Sequence, residues 1–148
     1  MPQTLDSLHV LVVDDHPLVR EAMADVMRYQ GALVLVAGGA TEALGILSAL
    51  AVDVMVCDIQ MPEHDGFWLM REAQTRELLP RIPCLALTGF GPEYREKILN
   101  AGFADHLVKP VDANELCLTV QTLARGRRGP SAASHPPSAD RTHPTRPF

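Results

Sequence analysis

Residues 9–17 read HVLVVDDHP. The run His9–Val13 is short and nearly continuous in apolar residues, the pattern of a strand buried on both faces. Two acids, Asp14 and Asp15, follow at once, and Pro17 opens a helical pattern, LVREAMADVMRYQ. Proline is tolerated there because the first-turn N–H has no intrahelical partner. Gly31 closes the pattern, as a glycine just past a helix end commonly does. The unit is therefore strand, acidic turn, helix, and the alternation of apolar run and helical pattern recurs five times up to about Arg125.

Ala32–Ala37 (ALVLVA) reads as a second strand. Gly38 and Gly39 turn the chain, and Thr41 is expected to cap a helix from Glu42 to about Leu50. Val54–Cys57 is a third strand ending at Asp58, and the loop IQMPEHDG leads to a helix over about Phe67–Glu77. Pro83–Leu87 is a fourth strand ending at Thr88. A helix over Glu93–Asn100 follows, closed by Gly102. His106–Val108 is a short fifth strand running into Lys109–Pro110. Asp112 is placed to cap a last helix through about Leu123, with Glu115 three residues on at capping-box spacing. Five such units in series imply a parallel sheet with helices on both faces. Right-handed crossovers leave few strand orders. The doubly wound order 2-1-3-4-5 is one common solution, with its ligand site outside the carboxyl ends of the strands.

The 148 residues suit one domain, over about 1–125, and a tail, 126–148. The tail is rich in Pro, Ser and Arg and has no hydrophobic period, so it is expected to be disordered. Met1–Ala124 holds 17 acidic and 8 basic residues, whereas Arg125–Phe148 holds five Arg and one Asp. An acidic domain is a poor partner for a phosphate backbone, so direct DNA binding is not expected. The basic tail reads either as a solvated end or as a weak anchor for an acidic partner. No apolar run reaches the ~18 residues of a membrane span, and no charged n-region with an apolar stretch opens the chain. A cytoplasmic protein, monomeric or weakly dimeric, is the expectation. Cys57, Cys84 and Cys117 form no CxxC pair and read as buried structural thiols.

The polar residues fall where the strands end. Asp14 and Asp15 follow the first strand, Asp58 the third, Thr88 the fourth and Lys109 the fifth. In a parallel sheet these positions converge on one edge. Two carboxylates ~4 Å apart repel by roughly 4 kcal/mol at an effective dielectric near 20, so three need a cation or a large pKa shift. Mg²⁺ takes oxygen ligands and needs only one or two carboxylates plus a phosphate oxygen. A lysine and a hydroxyl can then meet the remaining phosphoryl oxygens, which is most of what phosphoryl transfer requires. One carboxylate would act as nucleophile through an aspartyl-phosphate.

The segments VLVVDDHP, VCDIQMPEHDG, LALTG and HLVKP resemble the signature motifs of two-component response-regulator receiver domains, over about Leu8–Arg125. The resemblance implies a flavodoxin-like α/β fold with five strands and five helices. It implies phosphotransfer from a histidine kinase or phosphotransfer protein to Asp58. Asp14, Asp15, Asp58 and the backbone carbonyl of Gln60 would hold magnesium. Thr88 would be the switch hydroxyl and Lys109 the phosphoryl partner, with a cis peptide between Lys109 and Pro110. The chain would be a signalling phosphoacceptor rather than an enzyme, assisting its own phosphotransfer and dephosphorylation. Gln60 and Phe90, two residues past Asp58 and Thr88, would tune the phosphoryl lifetime. The surface responding to phosphorylation would be the fourth helix, fifth strand and last helix.

One position departs from the family pattern. Many receivers carry Tyr or Phe three residues before the lysine, and here His106 stands there. The context HLVKPVD is similar to receivers of hybrid histidine kinases. His106 is thus either a switch residue or simply a half-buried strand residue. His16 and His64 read as loop residues, with no second ligand at metal spacing.

Other classes fit less well. Aspartyl-phosphate phosphatases and phosphomutases resemble DxD at the nucleophile, and here the second position is Gln60. A dinucleotide-binding domain would need GxGxxG after the first strand, and VVDDHP has none. An interaction-only receiver would not need all five key residues. Within the receiver class, a relay or phosphate sink of a hybrid-kinase system is the alternative to a switching regulator, and the tail is too short for a DNA-binding output domain of the usual size.

Overall fold

The computed structural model describes residues 4–128. Five parallel strands form one sheet: β1 (His9–Val13), β2 (Leu33–Ala37), β3 (Val54–Asp58), β4 (Cys84–Thr88) and β5 (Asp105–Val108), in the order β2-β1-β3-β4-β5. Five helices connect and follow them: α1 (Pro17–Tyr29), α2 (Ala40–Ala49), α3 (Gly66–Thr75), α4 (Arg95–Asn100) and α5 (Ala113–Arg128). The flavodoxin-like doubly wound arrangement expected from the alternation is the one observed.

Alternation along each strand explains why the central strands are apolar throughout. Leu11, Val13, Met55, Cys57, Cys84 and Ala86 pack in one core with residues of α2, α3 and α4. Val10, Val12, Val54, Val56, Leu85 and Leu87 pack in the other with Met23 and Met27 of α1 and Leu116 and Val120 of α5. A strand with a core on each side has no polar face to offer. The edge strand β2 is only partly buried over Val34–Val36.

Several boundaries differ from those expected, for local reasons. Thr41 does not cap α2. The cap position is Gly39, and Oε1 of Glu42 accepts from the N–H of Gly38 at 2.8 Å, so a side chain inside the first turn reaches back to serve the free donor. The helix predicted over Glu93–Asn100 is a 3-10 turn, Pro92–Tyr94, followed by the short α4. Asp65, within the predicted loop, caps α3 by accepting from the N–H of Trp68 at 2.8 Å. Asp112 caps α5 as expected, its Oδ2 accepting from the N–H of Glu115 at 2.9 Å. That helix continues past Leu123 to Arg128; the remainder of the predicted tail, 129–148, lies outside the described residues. Gly31 and Gly102 close α1 and α4 with φ of 97° and 111°, a region in which residues with a side chain are strained.

All three cysteines are free and buried. Burial raises each thiol above its ordinary pKa, that of Cys84 to about 12, so they serve as small apolar core residues. Among the described residues no helix is long and apolar enough to cross a membrane.

Candidate functional site

The strand order sets the site. From β1 the chain runs outward to β2 and then crosses back to β3 on the other side of β1, so a crevice opens where the carboxyl ends of β1 and β3 lie side by side. Val13 pairs with Cys57, Asp58 with Leu87, and Thr88 with Val108. That register brings the ends of β1, β3, β4 and β5 level. Asp58 and Thr88 are the last residues of their strands, one residue further than the apolar runs alone indicate. Asp14 and Lys109 are the first residues past theirs. The sheet's hydrogen bonding carries on into these positions: the N–H of Asp14 donates to the carbonyl of Ala37 at 3.1 Å, and that of Lys109 to Thr88 at 2.8 Å.

The pocket places four of the expected groups together. Asp14 is fully buried and Asp58 is 4% exposed. The Nζ of Lys109 lies 3.2 Å from Oδ1 of Asp58 and 3.5 Å from Oδ2 of Asp14, so one ammonium bridges two buried carboxylates. Thr88 is fully buried. Its Oγ1 accepts from the N–H of Phe90 at 2.8 Å, which leaves its own proton available to a further acceptor. Asp15 is half-buried on the turn after Asp14. The Lys109–Pro110 peptide is cis, as expected.

Electrostatics follow from burial. Desolvation raises the Asp58 carboxyl above its ordinary value of 3.8; Lys109 pulls it down, the neighbouring Asp14 pushes it up, and the N–H of Gln60 donates to Oδ1 at 3.3 Å. Oδ1 of Asp14 accepts from the N–H of His16 at 2.9 Å. Oδ2 of Asp14 is buried without a hydrogen-bond partner, facing only the shared ammonium. A buried carboxylate oxygen left in that state fits a hard cation with oxygen ligands. Asp14, Asp15 and His16 present one ligand atom each within 4.8 Å of one another. His16 lies on the loop between β1 and α1 as expected, but two acids do stand within metal spacing of its ring, because consecutive residues on one turn can face the same side. His64 instead stacks on Trp68, with ring centroids 3.7 Å apart.

Three further residues matter here. Gly66 was not singled out by its sequence beyond the loop IQMPEHDG. A Cβ on it would lie 2.9 Å from the carbonyl oxygen of Asp58 and 3.0 Å from Cα of Ile59. The start of α3 thus rests directly on the backbone at the end of β3, and the Asp-Gly pair before a helical pattern is the signal that could have marked it. Phe90 stacks on Tyr94, with ring centroids 4.1 Å apart and planes 13° apart. Together with Gln60, Asp65, Phe67 and Lys97 these rings line a cleft of about 510 Å³. His106 is buried in β5, opposite Ala86, rather than half-buried.

Comparison with known proteins agrees with this geometry. A protein of Leptolyngbya boryana described as an uncharacterized 14.6 kDa protein is 40% identical over 120 residues, 80% of this chain and 92% of that protein. The sensor histidine kinase RcsC of Escherichia coli is 32% identical over 120 residues; the match covers 80% of this chain and 12% of the kinase. Among solved structures, the receiver domain of a sensor histidine kinase from Pseudomonas aeruginosa PAO1, with a magnesium ion coordinated in its active site cleft, superposes with a TM-score of 0.74 at 28% identity, covering 80% of this chain and 98% of that one. The family model of the response regulator receiver domain matches residues 10–121, a span that takes in every strand end described above. This chain belongs to the response regulator receiver domain family of two-component systems.

Proposed function

We propose that the chain accepts a phosphoryl group on Asp58 from a phosphohistidine of a histidine kinase or phosphotransfer protein, and passes the signal through the surface of α4, β5 and α5. The observation that carries this reading is the Lys109 ammonium shared between Asp58 and Asp14. It is a mobile cation already set at the position where phosphoryl charge would arrive. A carboxylate oxygen of Asp58 attacks phosphorus, the P–N bond breaks, and its electron pair returns to the imidazole nitrogen of the donor. Lys109 and the free proton of Thr88 each meet one phosphoryl oxygen. Asp14, Asp15, Asp58 and the carbonyl of Gln60 would hold Mg²⁺, which supplies charge neutralisation at the transferring group. The likeness to a receiver described with a magnesium ion in its active site cleft supports magnesium as the cation. The same groups would assist later hydrolysis, with Gln60 and Phe90 setting its pace.

Thr88 and His106 would form the switching pair, biasing two populations of the α4-β5-α5 surface. The receiver domain would span about 1–125 and act in the cytoplasm without contacting DNA directly, as a monomer or weak dimer. The likeness to receivers of sensor kinases favours one second reading, a relay or phosphate sink within a hybrid-kinase system. The test is labelling by acetyl phosphate or a kinase. Wild type should give an acid-labile, hydroxylamine-sensitive adduct that needs Mg²⁺, and Asp58→Asn should give none. Full labelling of that variant would remove Asp58 as the acceptor.

A further inference from the structure

The turn that carries the acidic pair also carries an imidazole. Asp14, Asp15 and His16 follow β1 without a break, and a carboxylate oxygen from each acid and a ring nitrogen of His16 lie within 4.8 Å of one another. The backbone builds this arrangement: the N–H of His16 donates to Oδ1 of Asp14 at 2.9 Å, tying residue 16 back onto residue 14. Pro17 starts α1 immediately afterwards, so His16 occupies the cap position, yet its side chain makes no capping hydrogen bond. The exposed ring is not committed to the helix. Burial supplies a second observation: the Asp14 side chain is fully buried and its Oδ2 has no hydrogen-bond partner, only the Lys109 ammonium at 3.5 Å that Asp58 shares, a state that a cation would relieve.

Mg²⁺ prefers oxygen and keeps its waters, so an imidazole adds little to its binding. Zn²⁺ and Ni²⁺ take imidazole and carboxylate together, and bind nitrogen-containing sites more tightly than the earlier divalent metals do. We infer that His16 is a metal ligand beside Asp14 and Asp15, and that it lets the receiver take a borderline transition-metal dication more tightly than Mg²⁺. This rests on the proposal that Asp14 and Asp15 are cation ligands, and adds the residue that chooses among cations.

The experiment is calorimetric titration of the full chain with Mg²⁺ and, separately, with Zn²⁺, for wild type, His16→Ala and Asp15→Ala. Ring-nitrogen NMR of the histidines in the Zn²⁺ series accompanies it. His16→Ala should weaken Zn²⁺ at least about tenfold, the low end of what losing a metal-supporting residue costs. Mg²⁺ affinity should stay within about twofold, since oxygen ligands carry it. The His16 ring signals should shift with Zn²⁺ in wild type but not in Asp15→Ala, which separates this site from Zn²⁺ held by other histidines. Equal Zn²⁺ affinity in wild type and His16→Ala, or Zn²⁺ and Mg²⁺ falling in step, overturns the inference alone if Asp15→Ala still abolishes Mg²⁺ binding. Mg²⁺ binding that survives Asp15→Ala overturns the acidic metal site and this inference with it.

Discussion

Lys109 Nζ and Asp58 Oδ1 are 3.2 Å apart, a close ion pair at the mouth of a pocket whose carboxylate is buried and whose lysine is 30% exposed. The pair sits where a divalent cation and a phosphoryl group would also find their charge. Under the proposed chemistry, lysine and metal would be rivals for the same two acids before phosphorylation, and partners once a phosphoryl group added negative charge.

That rivalry gives the first prediction. Lys109→Ala leaves Asp14 and Asp58 facing each other without a cation. Breaking a fully buried pair costs about 3–5 kcal/mol; partial exposure of the lysine should reduce this to about 1–2 kcal/mol. Mg²⁺ should bind the variant about tenfold more tightly than wild type, a gain of roughly 1.4 kcal/mol. Urea unfolding in EDTA and Mg²⁺ titration would measure both, and weaker Mg²⁺ binding in the variant would contradict the rivalry.

The second concerns pH. Burial raises the Asp58 carboxyl above 3.8, so the folded state holds that proton more tightly than the unfolded chain does. Its contribution to stability is full below 3.8 and is lost as pH rises through the raised folded value. Asp58→Asn is neutral throughout. In metal-free buffer the variant should gain on wild type as pH climbs from 3.8 through the raised folded value. Denaturant melts at several pH values test this; a gap between the two proteins that ignores pH would speak against it.

The third tests the seat of α3. Gly66→Ala brings a methyl within 2.9 Å of the Asp58 carbonyl. Neither backbone can yield without moving the other, so a loss of about 1–3 kcal/mol is expected. Because the displaced strand end carries the proposed acceptor Asp58, labelling by acetyl phosphate should also slow. Unchanged stability and labelling would show that the contact relaxes freely.

The fourth concerns lifetime and readout. The Phe90 ring is held flat against Tyr94 beside Gln60, an apolar wall that gives an attacking water no polar help. Phe90→Glu should hydrolyse the phosphoryl group faster than wild type. Beryllofluoride should shift NMR signals around the buried His106. Slower hydrolysis in Phe90→Glu, or unmoved signals at His106, would overturn these roles.

Much of this was legible in the chain itself. The runs HVLVV, VMVC and CLAL announce strands with no polar face, and the acids, threonine and lysine that end them announce the pocket. Local rules read these well because periodicity, glycine at helix ends and the Asp112 cap involve residues within a few positions of one another. The misplaced start of α2 is the same kind of local competition: Thr41 and Glu42 were both able to serve the free N–H groups, and Glu42 reached Gly38.

What the sequence determined, then, was the elements, the parallel α/β class and the identity of the polar set, since each follows from short-range pattern. What only the tertiary structure decided was distance. The Lys109 bridge from Asp58 to Asp14 and the burial of His106 against the neighbouring strand join parts of the chain far apart in sequence. They depend on β1 lying beside β3 and on strand registers that level the carboxyl ends. Even the nearness of His16 to its two neighbours needed the turn's own hydrogen bond, from the His16 N–H to Asp14. Spacing along a chain does not give such angles, because the same residues on a strand or a helix would point apart.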